Sequence, residues 1–339
     1  MTVAKRVELN QVANILKSLN TKQQKNLLAN LSVNSFVPTL NAPKGCPHCG
    51  SVAIVKRGTN KNGIPFYFCK DCFKHFISTY NTILYRTHFA LNVWLQYFHC
   101  MMSQMPIHKC AKICGICSST AFAWRHKILD ALQNMMKSVL LQGNVQADET
   151  YFHLSFKGAK KLPEGRVPLS KIRGKKKRGL SREQVCVVCG VSKDYQSVSK
   201  IASLGKPTWN KIKTVLDGHI KDGSTFVTDS FTAYRQAVQQ WDVHHIAIPR
   251  GSYKKDGFNI GLINNYHARL KNFINRVFKG VATKYLNNYL VYFNFLHFAE
   301  GTEEEKEEIL ANFVLNAFCE TTYESVSNRI AVPLVEYAY

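Results

Sequence analysis

The sequence is short of acidic residues until its last forty positions. Lys and Arg number 45 against 22 Asp and Glu, a formal net charge of +23. Nine of the acids and only two of the bases lie in residues 300–339, so residues 1–299 carry 43 bases and 13 acids. An excess of this size favours polyanionic partners, because phosphate contacts release condensed counterions. Composition therefore points to nucleic acid, with an ordinary basic cytosolic protein as the alternative.

Long apolar runs are also missing. No stretch approaches the roughly 18 consecutive apolar residues that a membrane-spanning helix requires. The first residues lack the pattern of a secretory signal, because polar residues separate Val7, Val12 and Leu16 as in an amphipathic helix. We therefore expect no membrane partner and a cytoplasmic location.

Cysteine is present, but not in the pattern of a disulfide framework. The count, eleven, is odd. Four of them form two CxxC pairs with 19 residues between the pairs: Cys46, Cys49, Cys69 and Cys72. Thiolates at this spacing close a tetrahedral Zn²⁺ site around a β-hairpin, as in a zinc ribbon. Because four thiolates leave no open coordination position, the predicted single Zn²⁺ is structural. His48 and His75 are alternative ligands.

Residues 80–138 are predicted to be helical. His108–Cys114 fits one helix, Gly115–Cys117 a turn, and Ser118 or Ser119 the N-cap of a second helix. Helices joined in this way are typical of a helix-turn-helix, although any pair of packed helices with a glycine turn gives the same pattern.

The second helix has an apolar stripe and three candidate DNA contacts. Ala121, Trp124, Ile128 and Ala131 form the stripe that we expect to be buried. Arg125 and Lys127 lie off it in the sequence pattern. The residues predicted to contact DNA here are Thr120, Arg125 and Lys127.

From about residue 144 strands alternate with helices in the order β-β-β-α-β-α-β-α. The first predicted strand is Asn144–His153. The fourth is Ser224–Thr228, which ends at Asp229, and the helix after the fifth strand begins near Leu262. This order predicts an α/β, RNase H-like catalytic core with a mixed five-stranded sheet.

Oxygen-bearing side chains recur at defined points of this core. Asp148 lies in the first strand, Asp229 ends the fourth, and Asn264 lies on the following helix. Lys271 shares a helix face with Asn264, because seven residues are about two turns. Two carboxylates and a third oxygen ligand suit a pair of Mg²⁺ or Mn²⁺ ions that clamp the attacking and leaving oxygens in phosphoryl transfer. Asn265 is an alternative third ligand.

Two neighbours of these residues, one on the helix and one on the strand, are also considered. His267 is a candidate for contact with the metal or the leaving group, and a packed helix histidine is the alternative. Glu149 is expected to point away from Asp148, because successive strand residues face opposite sides of the sheet.

Basic residues cluster near the acids in sequence. The insert 155–182 holds eleven Lys and Arg and one acid, which predicts either a mobile clamp on the DNA backbone or a solvated linker. The residues predicted to contact DNA in this insert and in a later glycine-rich loop are Lys175, Lys176, Lys177, Arg178, Lys254 and Lys255.

Five segments follow from these patterns. They are an N-terminal helical segment at 1–40, a zinc ribbon at 41–78, a helix-turn-helix region at 79–140, the catalytic core at 144–299 with its insert, and an acidic helical tail at 300–339.

The chain resembles the bacterial insertion-sequence transposases of the DDE superfamily. More narrowly, it is similar to the ISXO-like family, the IS-fifteen-ninety-five group, in its Asp-Asp-Asn-Lys branch. The resemblance covers about residues 45–298. Besides the four cysteines it rests on Ser119–Ile128, Ala147–Tyr151, Thr228–Ser230, Ile263–Lys271 and Phe278–Tyr289.

The resemblance implies an enzyme that cleaves double-stranded DNA at the terminal inverted repeats of its own element and joins the 3′ ends to target DNA. Asp148 would bridge two metal ions, and Asp229 would bind one. Asn264 stands where most enzymes of the DDE superfamily have Glu. Lys271 would hold a DNA phosphate. The resemblance also implies a homo-oligomer on DNA, associated with the bacterial nucleoid. A non-catalytic DNA-binding regulator, a domesticated transposase and a nuclease remain alternatives.

Overall fold

The computed structural model describes residues 38–60, 63–159, 162, 183–252, 254–298 and 301–334. Nearly all of the predicted N-terminal helical segment therefore lies outside the described residues. So does most of the basic insert, including Lys175, Lys176, Lys177 and Arg178. The chain forms two compact units, the first from residues 1–78 and 86–105, the second from residues 79–85 and 106–339.

The first unit contains a small antiparallel sheet and one helix. Strands β1 (Ile54–Thr59), β2 (Pro65–Cys69) and β3 (His75–Ile77) pair in that order. Tyr67 pairs with Phe76 across β2 and β3, and their rings stack at 5.7 Å. Helix α1 is Leu91–Met102. Aromatic pairs of this kind hold a sheet that is too small to bury much apolar area by itself.

The second unit is built on a five-stranded mixed sheet. Its strands are β4 (Asn144–His153), β5 (Gln184–Ser192), β6 (Ser197–Leu204), β7 (Ser224–Asp229) and β8 (Val243–Ile248). The spatial order is β6-β5-β4-β7-β8. β4, β5 and β6 pair antiparallel, whereas β4, β7 and β8 are parallel. The predicted order of strands and helices is confirmed, and the architecture fits an RNase H-like core.

Helices surround this sheet. Ahead of it lie α2 (Ile107–Cys114) and α3 (Ser118–Met136). Those between or after the strands are α4 (Trp209–Leu216), α5 (Thr232–Val238), α6 (Gly261–Asn272), α7 (Thr283–Phe298), α8 (Glu303–Asn316) and α9 (Tyr323–Ser327). A π-helical turn, Phe273–Val277, extends α6. None of the helices in the described ranges is long and apolar enough to cross a bilayer.

One face of the sheet packs on α4 and α5. Val145 and Ala147 of β4 and Phe226 of β7 join a buried cluster with side chains of both helices. Gly190 of β5 belongs here because a Cβ at this position would lie 2.9 Å from Leu141 Cδ1 and 3.2 Å from Leu216 Cδ2. Close helix-to-sheet packing therefore requires glycine at this point in the strand.

The other face carries α6 and α7, which are locked to the sheet by buried hydrogen bonds. The Tyr266 hydroxyl donates to Asn294 Oδ1 at 2.6 Å and lies 2.8 Å from Ser199 Oγ. Asn287 Oδ1 accepts from the Ile201 amide of edge strand β6 at 3.0 Å. Ordered polar contacts in a buried setting fix one orientation, so α6 has a defined position over β4.

Helix α3 is buried far more fully than its sequence pattern suggests. It packs against α2, α7, α8 and α9 within the second unit. Its N-cap is Cys117, whose sulfur accepts from the Thr120 amide, and not Ser118 or Ser119 as predicted. Asp130 on α3 pairs with Arg329 at 2.5 Å, which ties the C-terminal segment to this helix.

The predicted acidic tail contains the helix α8. Thr302 and Glu305 form a capping box at its start, and three acids occupy the first turn. Negative charge at a helix N-terminus interacts favourably with the helix dipole, so a structural role accounts for this part of the acidic run.

Candidate active site and zinc site

The four CxxC cysteines converge at one end of the ribbon. Cys46 Sγ lies 3.5 Å from Cys72 Sγ, and Cys49 Sγ lies 3.6 Å from Cys69 Sγ. All four sulfurs are within 4.8 Å of one another. Tetrahedral zinc with Zn–S bonds of about 2.3 Å would separate the sulfurs by ~3.8 Å. The sulfurs are thus placed to hold zinc.

Local backbone geometry builds this cluster. Gly50 adopts φ +76° and Phe73 φ +58° just after each CxxC pair, so each pair sits on a tight turn. The His48 amide lies 3.4 Å from Cys46 Sγ, as in turns whose amides donate to thiolates. Within the described residues, this is the one group of three or more Cys, His, Asp or Glu side chains with mutually close ligand atoms, and neither His48 nor His75 belongs to it.

The two candidate aspartates lie on neighbouring parallel strands, Asp148 in the middle of β4 and Asp229 at the end of β7. Gln146 of β4 pairs with Val227 of β7. Asp148 and Asp229 each follow two residues later, so both side chains leave the same face of the sheet at the same level. They approach without joining a compact acidic cluster of the kind formed by the cysteines. The pairing of β4 and β7 therefore creates an acidic pair from residues 81 positions apart in the sequence.

Burial makes the charge of Asp148 costly. The pKa of Asp148 rises from 3.8 to about 7, first because of burial and then through repulsion from Glu149 and Asp229. Asp148 Oδ1 accepts from the Glu149 amide at 2.9 Å. Asp229 Oδ1 accepts from the Phe231 amide at 2.9 Å, which fixes the turn into α5. Asp229 thus has a turn-forming role as well as a place beside Asp148.

Helix α6 places its polar side chains over the acidic pair. The Ile263 amide donates to Gln146 Oε1 at 3.0 Å, which anchors the start of the helix two residues from Asp148. His267 is 8% exposed, and its Nδ1 lies 3.8 Å from Asp148 Oδ2. Asn264 is exposed one turn earlier, and Lys271 one turn later. The structure brings His267 next to Asp148 and puts Asn264 and Lys271 on either side of it.

Electrostatics keep His267 neutral. Its pKa falls to about 4, first because of burial and then because of the positive charge of Lys271. Lys271 also lowers the pKa of Asp148, so its ammonium acts on the acidic pair. A neutral imidazole adds no charge that would offset the carboxylates.

Glu149 is a residue that sequence reasoning set aside. It does leave the opposite face of β4 from Asp148, as expected, yet it lines an open cavity together with Asp229. Burial and repulsion from Asp229 raise its pKa, and its Oε2 atom has no hydrogen-bond partner within the described residues. The signal available in the sequence was the pair of adjacent acids, which are the only two acids in this strand.

Two adjoining cavities open at this end of the sheet. One, of about 440 Å³, is lined by Glu149, Asp229, Lys206 and Arg250 among others. The second, of about 490 Å³, is lined by Lys254 and Asn264 among others. Both include Gly251, Ser252 and Ile260. Volumes in this range are typical of ligand sites, so we name the two together the active-end groove.

Arg125 is a correction to the predicted DNA contacts. It was predicted to lie off the buried stripe of α3, but it is 0% exposed. Its guanidinium lies 5.7 Å from the Phe278 ring and 5.6 Å from the Tyr292 ring, and it donates to Cys110 Sγ at 3.4 Å. Because α3 is covered on several sides at once, a residue off the main stripe still lies in the interior. Arg125 supports packing and does not face DNA in this structure.

The remaining predicted contacts on α3 and in the later loop are more accessible. Thr120 and Lys127 are partly exposed, and Lys254 and Lys255 are exposed. The structure contains the two helices and the glycine turn, with Gly115 in the left-handed region at φ +66°. Reading of DNA by these helices stays a prediction.

The zinc assignment predicts the outcome of a cysteine exchange. Cys72→Ser should lose most of its bound zinc, because three thiolates hold the ion far less tightly than four and the ribbon folds around it. Cys117→Ser is the matched control, since Cys117 is exposed, lies outside the cluster and can be replaced by Ser as an N-cap. The measurement is zinc content per purified chain. An equal zinc content in both variants would contradict the assignment.

Burial of Asp148 predicts a pH-dependent cost to stability. The folded-state pKa lies above the ordinary value, so the contribution of this group is favourable below about pH 4 and is lost as pH rises towards about 7. At about pH 8 the Asp148→Asn variant should therefore have a free energy of unfolding higher than that of the native chain by roughly 1–3 kcal/mol, and it should unfold at a higher temperature. Near pH 4 the two proteins should differ little. Thermal unfolding without added divalent cations tests this, with the exposed Asp242→Asn as control. An advantage that does not grow with pH would argue against it.

Comparison with known families agrees with this geometry. Residues 140–296 match the family model described as the ISXO2-like transposase domain. No curated protein matches the chain. The matched range starts just before β4 and ends within α7, so it contains both aspartates and the whole of α6. The match supports a DDE-type transposase of the ISXO-like family.

Proposed function

We propose that this protein is a transposase that binds the terminal inverted repeats of its own element, cleaves the DNA there and joins the 3′ ends to target DNA. The observation that carries the proposal is the acidic pair on β4 and β7 with α6 laid across it, inside a range that matches a transposase domain. Such an enzyme is a metal-dependent polynucleotidyl transferase.

The side chains at the acidic pair fit two Mg²⁺ or Mn²⁺ ions. Hard oxygen donors are available from Asp148, Asp229 and the amide of Asn264. Burial without a neutralising partner raises the pKa of Asp148, and a divalent cation would remove that cost. When bound, two such ions activate the attacking oxygen and stabilise the leaving one. Asp148 would serve as a ligand to both ions, and Asp229 to one of them.

Other side chains of α6 bind and position the substrate. Lys271 makes no ion pair within 4 Å among the described residues, so its ammonium is available to a DNA phosphate beside the acidic pair. Neutral His267 packs against Asp148 and restricts where that carboxylate points. A neutral histidine at this place avoids an ion pair that would compete with metal for the same oxygens.

The basic surface supplies affinity for double-stranded DNA. Lys254 and Lys255 lie in the loop beside the acidic pair, and Thr120 and Lys127 lie on α3. Phosphate contacts from such residues position DNA and do not read its sequence. We assign sequence reading to the exposed N-terminal turn of α3, by analogy with helix-turn-helix proteins. Because two element ends must be brought together, we propose a homo-oligomer on DNA in the nucleoid of a bacterial cytoplasm.

The residue at position 264 favours a second candidate function. Asn264 offers a neutral amide oxygen, which is a weaker cation ligand than a carboxylate. A domesticated DNA-binding protein or regulator derived from a transposase would tolerate such a change. The raised pKa of Asp148 weighs against it, because a protein without catalysis has no use for a carboxylate whose charge costs stability.

Strand cleavage tests the main proposal. Purified protein with supercoiled plasmid and Mg²⁺ or Mn²⁺ should nick or join DNA, and Asp148→Ala or Asp229→Ala should lose at least about 100-fold of the rate, since each removes a metal ligand. Asp242→Ala removes a carboxylate at the opposite end of the sheet and should keep the activity. Activity that survives in Asp148→Ala would contradict the assigned site.

The third ligand has its own test. Asn264→Asp should lower the Mg²⁺ concentration for half-maximal nicking by about tenfold, a gain of ~1.4 kcal/mol in metal affinity. Asn265→Asp adds the same charge one residue further on and serves as the matched control. A metal requirement that falls in Asn265→Asp and not in Asn264→Asp would transfer the ligand role to Asn265.

A further inference from the structure

The larger part of the cationic lining of the active-end groove belongs to residues not yet given a role. We propose that Lys206 and Arg250 form a subsite for backbone phosphates of the DNA strand that lies across the acidic pair. This subsite rests on the proposed function, and it defines the path of the strand past Asp229.

Lys206 is held in place beside Asp229. It follows β6, where the Gly205 amide donates to Gln184 O at 2.7 Å and fixes the chain. Its Nζ lies 4.2 Å from the centre of the Phe231 ring. Phe231 in turn donates its amide to Asp229 Oδ1. A cation over an aromatic face is restrained without being neutralised, so the ammonium stays available to an anion.

Arg250 approaches the same cavity from another strand. Ile248, the last residue of β8, pairs with Asp229, the last residue of β7. Arg250 follows two residues later and is exposed. Neither Arg250 nor Lys206 makes an ion pair within 4 Å among the described residues. Two cations without ion-pair partners therefore line the same cavity as Glu149 and Asp229.

This arrangement suits a phosphodiester strand better than a compact anion. The active-end groove continues past Gly251 and Ser252 to Lys254 and Asn264. A strand entering beside Lys254 would pass the acidic pair and leave between Lys206 and Arg250. The carboxylates repel phosphate oxygens, so the flanking phosphates would lie near Lys206 and Arg250 while the scissile phosphate meets the metal ligands.

The guanidinium of Arg250 and the ammonium of Lys206 would bind phosphates in different ways. Arg250 presents a planar fork that binds two phosphate oxygens at once, whereas Lys206 acts as a point charge. Because these groups bind the DNA backbone, the subsite would take DNA of any sequence.

Salt dependence of DNA binding tests the subsite directly. Removing one bond to a phosphate should flatten the plot of log Kd against log salt concentration by about 0.9 for duplex DNA. Lys206→Met keeps the aliphatic packing on Phe231 and removes the charge, and Arg250→Gln removes the other charge. We expect each variant to flatten the slope by about that amount, and the weakening to be the same for different sequences. Fluorescence anisotropy with Ca²⁺ present measures Kd, and a gel checks that the probe is intact.

Matched variants separate charge from structure. Lys193→Met makes the same change in the β5–β6 turn, next to Ser192, which pairs with Val145 at the end of β4 away from the acidic pair. It should leave the slope unchanged, and Lys206→Arg should restore the native slope. Thermal unfolding shows that each variant is folded.

The outcomes distinguish this inference from the proposed function. Slopes that are unchanged in Lys206→Met and Arg250→Gln, while the native chain binds and nicks DNA, would overturn the subsite alone. A native chain that binds no DNA would remove the proposed function and the subsite with it. An equal flattening of the slope in Lys193→Met would show that general charge, and not this subsite, is responsible.

Discussion

Parallel pairing of β4 with β7 is the constraint on which the candidate site depends. It brings Asp148 to the level of Asp229 on one face of the sheet, where burial and repulsion from Glu149 and Asp229 raise the pKa of Asp148 and make its charge costly. The apolar cluster beneath the other face supplies the stability that tolerates this cost. An acidic pair that is unfavourable in the absence of cations is a site suited to binding them.

Helix α6 can position side chains over the acidic pair because the helix is held rigidly. Buried bonds from Tyr266 to the sheet and to α7, and from Ile263 to Gln146, hold it against β4. Side chains on one face of a fixed helix keep constant distances from the carboxylates below. Around this anionic centre the chain then places cations without ion-pair partners, so that the field attracts a polyanion to the point where the metal ligands lie.

Residue patterns in the sequence predicted many features of the fold and of the candidate site. The zinc spacing, the alternation of strands and helices and the order Asp148, Asp229, Asn264 predicted elements that the structure contains, because each depends on local periodicity or fixed ligand spacing. Arg125 shows where such reasoning fails. Periodicity identifies one buried face of a helix, but it does not reveal which elements cover the other faces, and α3 is covered by α2, α7, α8 and α9.

The sequence by itself determined the ribbon cysteines, the strand that bears each aspartate and the helix that bears His267 and Lys271. Only the tertiary structure decided that Glu149 and Asp229 share a cavity, and that Lys206 and Arg250 line it. Those four side chains come from the middle of β4, the end of β7 and the segments that follow β6 and β8, which are far apart in the chain. Their proximity follows from sheet order and register, which are set by the packing of the whole core and leave no signature in any single segment.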